Sequence, residues 1–404
     1  MKRIVLLLIL LVLAERALSA TIVSTIDNKA TAETKKLFVN LKELMGSKTL
    51  FGQAHFYTRT CSGNAVRGTY PVDAYKITGK YPFILSADYK WDKDDVVYHY
   101  NKGGAILMAW GMYNPVNVVV GTDGKDYVCV KEHISNAELN RPITGTDVWS
   151  YWQSAGTRGY GDAWKDNHLY DQDDHPIRKI LTGGLRNAYY HALLDQVAAY
   201  FNELKDSKGK LIPVIFRPFH ECDGEWFWWG RQKVDSIQVN TDAEYIQLWQ
   251  ETVKYLKDVK GVHNILWCFN YDTRLSDTAA NFVKRYPGND YVDVIALDCY
   301  GSDNLLLKTQ TIVKEAENRG KVAGIAEFSR DAQKGIDDKK NYWMNEFWDV
   351  IKSDSTASKI VFACSYSNGP KVYYGPGWRH EDAPSFKAFI SDEKVVMLGD
   401  IEIR

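Results

Sequence analysis

The chain has 404 residues, of which 45% are hydrophobic and 13% are aromatic, and its formal net charge at pH 7 is −1. A charge so close to zero indicates no basic surface for nucleic acid or for an anionic membrane, so we expect neither as a partner. The length allows two or three domains, but α/β barrels commonly use this much chain for one.

The first 20 residues have the pattern of a secretory signal peptide. Two basic residues precede an apolar run at 4–14, and small residues follow up to Ala20. This run is too short to span a bilayer. We therefore expect residues 1–20 to be removed and the mature chain, 21–404, to be secreted to the extracellular space. An uncleaved membrane anchor is the alternative.

Eight apolar segments have the near-continuous hydrophobicity of buried parallel strands. They lie at 50–55, 83–88, 105–110, 212–220, 264–270, 292–300, 322–328 and 360–367. Helical periodicity separates most of them, at 186–204, 241–260, 305–319 and 341–352. The second of these begins with a capping box from Thr241 to Glu244. A further amphipathic segment, 31–45, precedes the first strand and is expected to pack across the bottom of the fold.

Eight strands that alternate with helices predict an α/β fold, the (β/α)8 TIM barrel, built as a single domain. A doubly wound open sheet is the alternative. Neither a GxGxxG motif nor a phosphate-binding loop follows any predicted strand, which disfavours that alternative.

Residues 112–184 interrupt the regular alternation, because this segment far exceeds a normal connection between a strand and a helix. It is rich in glycine, aspartate, tyrosine and tryptophan. Since it follows the third strand, we expect it at the C-terminal face of the barrel, where active sites form. It is a candidate binding loop or closing wall.

Six cysteines in a secreted chain permit up to three disulfides. Cys61 and Cys129 fall in predicted loops, and we expect a disulfide between them. The other four fall in or beside predicted strands and are candidates for buried free thiols: Cys222, Cys268, Cys299 and Cys364. No CxxC spacing indicates a zinc site.

Two glutamates occupy the ends of predicted strands, Glu221 after the fourth and Glu327 in the seventh. Strands four and seven lie on opposite arcs of a barrel mouth, so these side chains can converge. Retaining glycosidases need two carboxylates about 5–5.5 Å apart. Three tryptophans follow Glu221 closely, and flat indole faces suit the apolar faces of sugar rings. The pair therefore predicts glycoside hydrolysis, whereas either glutamate alone is equally consistent with a solvated strand end.

The motif Arg-Pro-Phe-His-Glu-x-x-Gly-x-Trp-Phe-Trp-Trp-Gly at 217–230 resembles the signature of glycoside hydrolase family 26, mostly β-mannanases. The resemblance extends to other parts of the chain: Asp298-x-Tyr300-Gly301, Glu327 and Trp378-Arg379. It implies a (β/α)8 barrel, retention of anomeric configuration, and no metal or other cofactor. By motif position, Glu221 would be the catalytic acid/base and Glu327 the nucleophile.

The same resemblance implies supporting roles. Tyr300 is similar to the tyrosine that hydrogen-bonds the nucleophile, and Asp298 shares its strand parity and so faces the lumen. His220 is similar to a family histidine that positions the acid or contacts the sugar, although a structural role is the alternative. The other predicted sugar-binding residues are Trp226, Trp378, Arg379, Trp110 and Trp164. Trp228 and Trp229 are as consistent with packing as with binding.

One position departs from the family pattern. A histidine would be expected after Trp110 in a Trp-His-x-x-Asn-Pro motif, and this chain has Gly111 there. The change removes a polar side chain from the sugar-binding region, which leaves the details of subsite recognition open.

Together these patterns predict a secreted, monomeric, endo-acting β-1,4-mannanase that cleaves mannan, glucomannan or galactomannan. A mannobiose-releasing exo-mannanase, a β-1,3-1,4-glucanase and a β-1,3-xylanase are the alternatives on the same framework. A catalytically inactive carbohydrate-binding barrel is the alternative from a different class. The presence of both glutamates and Tyr300 disfavours it, since a pure binding protein has no need of that geometry.

Overall fold

The computed structural model describes residues 24–64, 67–68, 72–89, 93–111, 118–120, 126–129, 152–156, 175–234, 236–272, 282–301, 304–331, 334–336 and 340–403. The predicted signal peptide, 1–20, lies outside these residues. Eight parallel strands form the centre of the fold: β1 (Thr49–Ala54), β2 (Ile84–Asp88), β3 (Ala105–Trp110), β4 (Val214–Pro218), β5 (Ile265–Asp272), β6 (Val294–Tyr300), β7 (Val322–Ser329) and β8 (Phe362–Ser365).

The strands pair in chain order, and the last one returns to the first. In the β8–β1 pair, Phe362 lies opposite Leu50 and Ser365 opposite Gln53. The sheet is therefore a closed barrel, which confirms the predicted (β/α)8 architecture and rules out the open doubly wound sheet. A short strand near the C-terminus, Val395–Val396, adds to β1 at the bottom of the barrel.

Helices surround the barrel in the described residues: α1 (Ala32–Leu44), α2 (Asp73–Thr78), α3 (Lys93–Asn101), α4 (Pro176–Ile180), α5 (Asn187–Glu203), α6 (Asp242–Lys254), α7 (Leu305–Arg319), α8 (Asp349–Lys352) and α9 (Ala383–Ile390). Two π-helical turns, Tyr255–Val259 and Tyr342–Trp348, continue α6 and lead into α8. Short 3-10 turns lie at Asn289–Tyr291 and Ala357–Lys359. The predicted capping box of Thr241 and Glu244 begins α6. Within the described residues, no helix has both the length and the apolar character needed to cross a membrane.

Helix α1 closes the bottom of the barrel, as its position before the first strand predicts. Its side chains Leu37, Phe38 and Leu41 are buried in one cluster with the apolar interior residues of the strands. At the opposite, C-terminal end of the barrel, the described interior side chains become polar, and Arg217, Asn270, Asp298 and Glu327 are buried there. The C-terminal end of the barrel is therefore the candidate position of the active site.

The predicted insertion at 112–184 contains secondary structure of its own. Its described parts include three short antiparallel strands, Val118–Val120, Asp126–Cys129 and Trp152–Gly156. Helix α4 then leads back to the barrel. Trp164, a predicted sugar-binding residue in this insertion, lies outside the described residues.

The predicted Cys61–Cys129 disulfide is wrong, because Cys61 is a free and buried thiol. Its sulfur donates to Oδ1 of Asp73, 2.8 Å away, and its backbone N–H donates to Oδ2 of the same carboxylate. Burial raises the pKa of this thiol to about 12, with the hydrogen bond to Asp73 acting in the same direction. A sulfur turned inward to a carboxylate satisfies its polarity without a bridge. The four strand-associated cysteines are buried, and Cys222, Cys268 and Cys364 are free thiols, as predicted. The Cys299 sulfur donates to the Gly301 carbonyl.

Candidate active site

Strand β4 ends abruptly at Pro218, and the backbone that follows carries Glu221 to the barrel mouth. Phe219 and Glu221 have φ values of +50° and +53°, in the left-handed region that residues other than glycine rarely adopt. This turn buries Phe219 among the outer apolar residues and leaves Glu221 only 6% exposed. Such strain persists where the surroundings impose it, and it concentrates at functional sites.

The Glu221 carboxylate accepts a hydrogen bond from the indole N–H of Trp226. Gly224 makes this contact possible, because a Cβ at that position would lie 2.3 Å from the Trp226 ring. Trp226 is partly exposed at the mouth. The predicted acid/base and a predicted sugar-binding residue therefore contact each other directly.

Glu327 enters the lumen through an irregularity in β7. Ala326 faces the barrel interior, yet Phe328, two residues later, faces the outer layer. The pairing of β6 with β7 accordingly shifts by one residue after Leu297, so that Glu327 lies opposite Asp298. A bulge of this kind re-aims a side chain that regular alternation would turn outward.

Both carboxylate oxygens of Glu327 accept hydrogen bonds. Tyr300 donates to Oε2 at 2.5 Å, and Nη2 of Arg217 donates to Oε1. Arg217 is 1% exposed, and its Nη1 also donates to Asp298 at 2.9 Å and to Asn270 at 3.2 Å. One buried guanidinium thus joins two buried carboxylates.

The pKa values of the two acids that Arg217 contacts are shifted in opposite directions. Burial alone would raise the pKa of Glu327, but the Arg217 cation and the Tyr300 hydroxyl together hold it below its ordinary value. Burial raises the pKa of Asp298, and the nearby Glu327 carboxylate adds to this effect against the pull of Arg217. Burial also raises the pKa of Tyr300 well above its ordinary value, so the phenol keeps its proton. The arrangement provides an ionised carboxylate at Glu327.

His220 lies on the same side of the lumen as this network. One of its ring nitrogens, an Asp298 oxygen and a Glu327 oxygen all lie within 4.8 Å of one another. Burial and the positive charge of Arg217 lower the pKa of His220 to about 3. The imidazole is therefore neutral under ordinary conditions and can orient a polar group, but it cannot supply a positive charge.

The donor atoms of His220, Asp298 and Glu327 form the one cluster in the described residues with metal-binding spacing. The Arg217 guanidinium already bridges the two carboxylates of this cluster. A permanent cation in that position supplies the positive charge that a metal ion would bring. The residues present are thus better fitted to carboxylates paired with an arginine than to a metal centre.

The other predicted binding residues fall into different environments. Trp378 is partly buried, with the Arg379 guanidinium 4.6 Å and the Lys76 ammonium 5.3 Å from its rings. Arg379 itself is exposed. Trp228 and Trp229 are fully buried, so they are packing residues, and Trp229 donates its indole N–H to the His220 carbonyl at 2.8 Å.

Trp110 does not lie in the lumen, so its position does not fit the predicted contact with sugar. It is 1% exposed and packs in the layer between barrel and helices, where its ring stacks on Tyr190 and lies 5.4 Å from Phe219. The physical reason is strand parity, because Ile106, Met108 and Trp110 share the outward face of β3.

Several polar residues of the site were not among the predicted site residues. Arg217 is the most important, and its signal was a charged residue inside an apolar strand, four positions before Glu221. Asn270, at an inward position of β5, has the same kind of signal. At the mouth, His55 follows β1 and Asp88 ends β2, and His55 Nε2 lies 3.3 Å from Asp88 Oδ2. Tyr366, after β8, places its ring edge-on to that of Tyr300.

The profile of glycosyl hydrolase family 26 matches residues 26–360 of this chain. The match covers most of the barrel, including both glutamates. The chain belongs to glycosyl hydrolase family 26.

Among curated family relatives, a mannan endo-1,4-β-mannosidase of Bifidobacterium adolescentis is 29% identical over 391 residues, which are 92% of this chain and 35% of that protein. A mannan endo-1,4-β-mannosidase of Caldalkalibacillus mannanilyticus is 26% identical over 244 residues, 57% of this chain and 38% of that protein. This family 26 chain therefore spans little more than a third of the length of these two relatives.

Solved structures of the family agree with the fold. The catalytic domain of a Bacillus endo-β-1,4-mannanase has a TM-score of 0.73 at 25% identity, covering 94% of this chain and 95% of that one. A family 26 protein from a Muricauda species has a TM-score of 0.69 at 26% identity, covering 94% and 96%. Both likenesses extend over nearly all of this chain.

Proposed function

We propose that this chain hydrolyses β-1,4-mannosidic bonds in mannan, glucomannan or galactomannan, with retention of anomeric configuration. The observation that carries the proposal is the environment of Glu327, an acid held ionised by Arg217 and Tyr300 in a family 26 barrel whose mouth also holds Glu221. The substrate class rests on the curated relatives, which are named mannan endo-1,4-β-mannosidases.

In the first step, a Glu327 oxygen attacks the anomeric carbon while Glu221 gives its proton to the glycosidic oxygen. The bond between that carbon and oxygen breaks, its electron pair leaves with the oxygen, and a glycosyl ester with Glu327 forms. In the second step, Glu221 takes a proton from water as the water oxygen attacks the same carbon and releases Glu327. Arg217 and Tyr300 keep Glu327 ready to attack, because both donate to its charged form.

We also infer that the enzyme acts inside the polymer, as a secreted monomer, and needs no cofactor. Endo action follows the names of the relatives, and secretion rests on the basic, apolar and small-residue pattern of residues 1–20. Polymer viscosity separates endo from exo action. An endo enzyme lowers viscosity steeply before much reducing sugar appears. Proportional changes with mannobiose dominating from the first minutes contradict the endo assignment.

A glucan substrate is the second candidate, because a 120-residue part of the chain is 28% identical to endoglucanase H of Acetivibrio thermocellus. That match covers 30% of this chain and 12% of that protein. Reducing-sugar release from glucomannan, galactomannan, lichenan and β-1,3-xylan, measured in parallel, decides between the candidates. Release from lichenan or xylan without release from either mannan overturns the proposed substrate.

Single substitutions test the two glutamate roles. Glu327→Ala should abolish hydrolysis of all substrates while leaving the protein folded. Glu221→Ala should slow cleavage of mannan far more than cleavage of an activated aryl mannoside, and azide should restore turnover of the latter. Early products analysed by proton NMR should have β configuration. Full activity in either variant, or α products, is incompatible with the mechanism.

A further inference from the structure

The loop that carries Glu221 is held by hydrogen bonds to its own carbonyl oxygens. We call residues 219–230 the acid/base loop. Two of its first four carbonyls accept from donors within the loop: His220 O from the Trp229 indole at 2.8 Å, and Glu221 O from the Gly224 amide at 3.0 Å. A third, Phe219 O, accepts from the Tyr245 hydroxyl of the next helix, α6, at 2.9 Å. The fourth, Cys222 O, depends on a side chain from a distant part of the chain.

That side chain is Arg285, which follows β5 and is completely buried. Its Nη1 donates to Cys222 O at 2.7 Å and to Trp229 O at 2.9 Å. A single nitrogen therefore joins the two ends of the acid/base loop. Since Cys222 directly follows Glu221, this contact fixes the backbone immediately behind the acid/base carboxylate.

The remaining donors of Arg285 anchor the guanidinium itself. Nε donates to Oδ1 of Asp242 at 2.7 Å, at the start of α6, and Nη2 donates to Asn240 O at 3.0 Å. The guanidinium carbon of Arg285 also lies over the Tyr245 ring, 5.0 Å from its centroid. Only a planar fork of several donors can reach three carbonyls and one carboxylate at once, so a lysine cannot replace it.

The loop needs such a clamp because its conformation is strained. Phe219 and Glu221 both have positive φ, a conformation that is unfavourable for residues other than glycine. Without an external anchor, relaxation of these residues would move the carboxylate away from the scissile oxygen. A displacement of about 1 Å at a reacting group can cost roughly 100-fold in rate.

We propose that Arg285 is a positioning residue for proton donation by Glu221, acting through the Cys222 and Trp229 carbonyls. This proposal rests on the proposed function, since it assigns Glu221 the acid/base role. Arg285 touches neither acid of the site in the described residues; its effect passes through the backbone of the acid/base loop.

The test compares two leaving groups in the Arg285→Lys variant. Mannohexaose requires a proton on the departing sugar oxygen, whereas 2,4-dinitrophenyl β-mannobioside departs without one. If Arg285 positions Glu221, kcat/KM for mannohexaose should fall by about 10- to 100-fold. For the dinitrophenyl substrate, kcat/KM should fall by less than about threefold, since bond cleavage there needs no acid. Azide should raise kcat for the dinitrophenyl substrate in the variant.

Arg231→Lys is the matched control. The guanidinium of Arg231 also reaches Asp242, with its Nε 3.3 Å from Oδ1, but in the described residues its side-chain hydrogen bonds end on that carboxylate. Its one bond to the acid/base loop is made by the backbone N–H, to Gly224 O at 2.7 Å, and a lysine keeps that bond. Arg231→Lys should leave both substrates nearly unchanged. Equal losses on both substrates in Arg285→Lys would overturn the proposal, because a merely structural role lowers the amount of competent enzyme whatever the leaving group.

Two further outcomes stay interpretable. If Arg285→Lys does not fold, Asp242→Asn is the second variant, because it keeps the guanidinium but weakens its anchor. It should give a smaller loss that is again selective for mannohexaose. Equal losses on both substrates in Asp242→Asn would contradict the proposal. If the wild-type enzyme cleaves no mannoside at all, the proposed function fails first. If the wild type is active and both variants keep its ratio of kcat/KM for the two substrates, the Arg285 proposal alone is contradicted.

Discussion

The Tyr300 hydroxyl donates a 2.5 Å hydrogen bond to one carboxylate oxygen of Glu327, while Arg217 donates to the other. The phenol keeps its proton because burial raises its pKa well above the ordinary value. A permanent donor and a permanent cation therefore act on the same acid. Both favour the charged form of Glu327, and together they overcome the burial that would otherwise raise its pKa.

Tyr300→Phe removes one of these donors. A hydrogen bond to a charged group contributes about 1.5–3 kcal/mol, so we expect kcat/KM to fall by roughly 10- to 100-fold. Loss of the bond also raises the pKa of Glu327, so the acidic limb of the pH profile of kcat/KM should move to higher pH. Tyr286→Phe, which removes a hydroxyl bonded to Asn289, is the control. An acidic limb that stays in place would show that Tyr300 does not tune Glu327.

Arg217→Met leaves Asp298 and Glu327 buried without their cation. Breaking a buried ion pair by removing one partner costs about 3–5 kcal/mol, measured as unfolding free energy in urea. Arg217 helps to hold the pKa of Glu327 below its ordinary value, so its removal raises the folded-state pKa of this acid. The cost is therefore largest at neutral pH, where Glu327 is ionised, and shrinks as Glu327 protonates at lower pH. Arg217→Lys keeps the charge but loses the fork, and should cost less. A loss in Arg217→Met that is the same at pH 7 and pH 5 contradicts this account.

His220 makes a pH-dependent contribution to stability. Its pKa is lowered from the ordinary 6.5 to about 3, because the ring is buried beside the Arg217 cation. Between these values the unfolded chain binds a proton on this histidine and the folded chain does not. Unfolding is therefore favoured as pH falls, by at most about 1.4 kcal/mol per pH unit.

His220→Gln removes this proton uptake. The unfolding free energy of the wild type should thus decline faster than that of the variant as pH drops from 6.5 towards 3. Urea titrations at several pH values measure the difference. His191→Gln, on α5, is the control for loss of a partly exposed histidine. Parallel declines in wild type and His220→Gln would mean that His220 is protonated in the folded protein.

The positions of the strands were predictable because buried parallel strands have a strong and simple pattern. Each of the eight predicted segments overlaps a barrel strand. The fourth was predicted to run over 212–220 and is found at Val214–Pro218, and the positive φ of Phe219 ends the extended backbone there. Backbone strain of this kind has no signature in composition or periodicity.

The site was less predictable, because both faces of a barrel strand are apolar. Ala105 and Leu107 face the interior of β3, whereas Met108 and Trp110 face the helices, and hydrophobicity alone does not distinguish the two faces. The opposite case is Glu327, which reaches the lumen only through a bulge. Its predicted role comes from the family motif, whereas alternation along β7 would not have placed it in the lumen.

The last prediction concerns the packing that supports this bulge. Gly324 lies opposite Phe362 in the β7–β8 pair, three residues before Glu327. A Cβ at 324 would lie 2.3 Å from the tip of the Phe362 ring, which is fully buried inside the barrel. Gly324→Ala should therefore overpack the interior and lower the unfolding free energy by about 1–3 kcal/mol. Gly369→Ala, where the nearest atom would be 3.9 Å away, is the control and should change little.

A double-mutant cycle shows whether the clash is with this ring. Phe362→Leu shortens the side chain and is destabilising alone, but it makes room for the new methyl group. The double variant should consequently be more stable than the sum of the single losses predicts, with a coupling of about 0.5–3 kcal/mol. Urea unfolding of the four proteins gives the coupling. Strictly additive losses would place the strain elsewhere, in the bulge backbone itself, and Gly324→Ala would then be expected to displace Glu327 whatever residue occupies position 362.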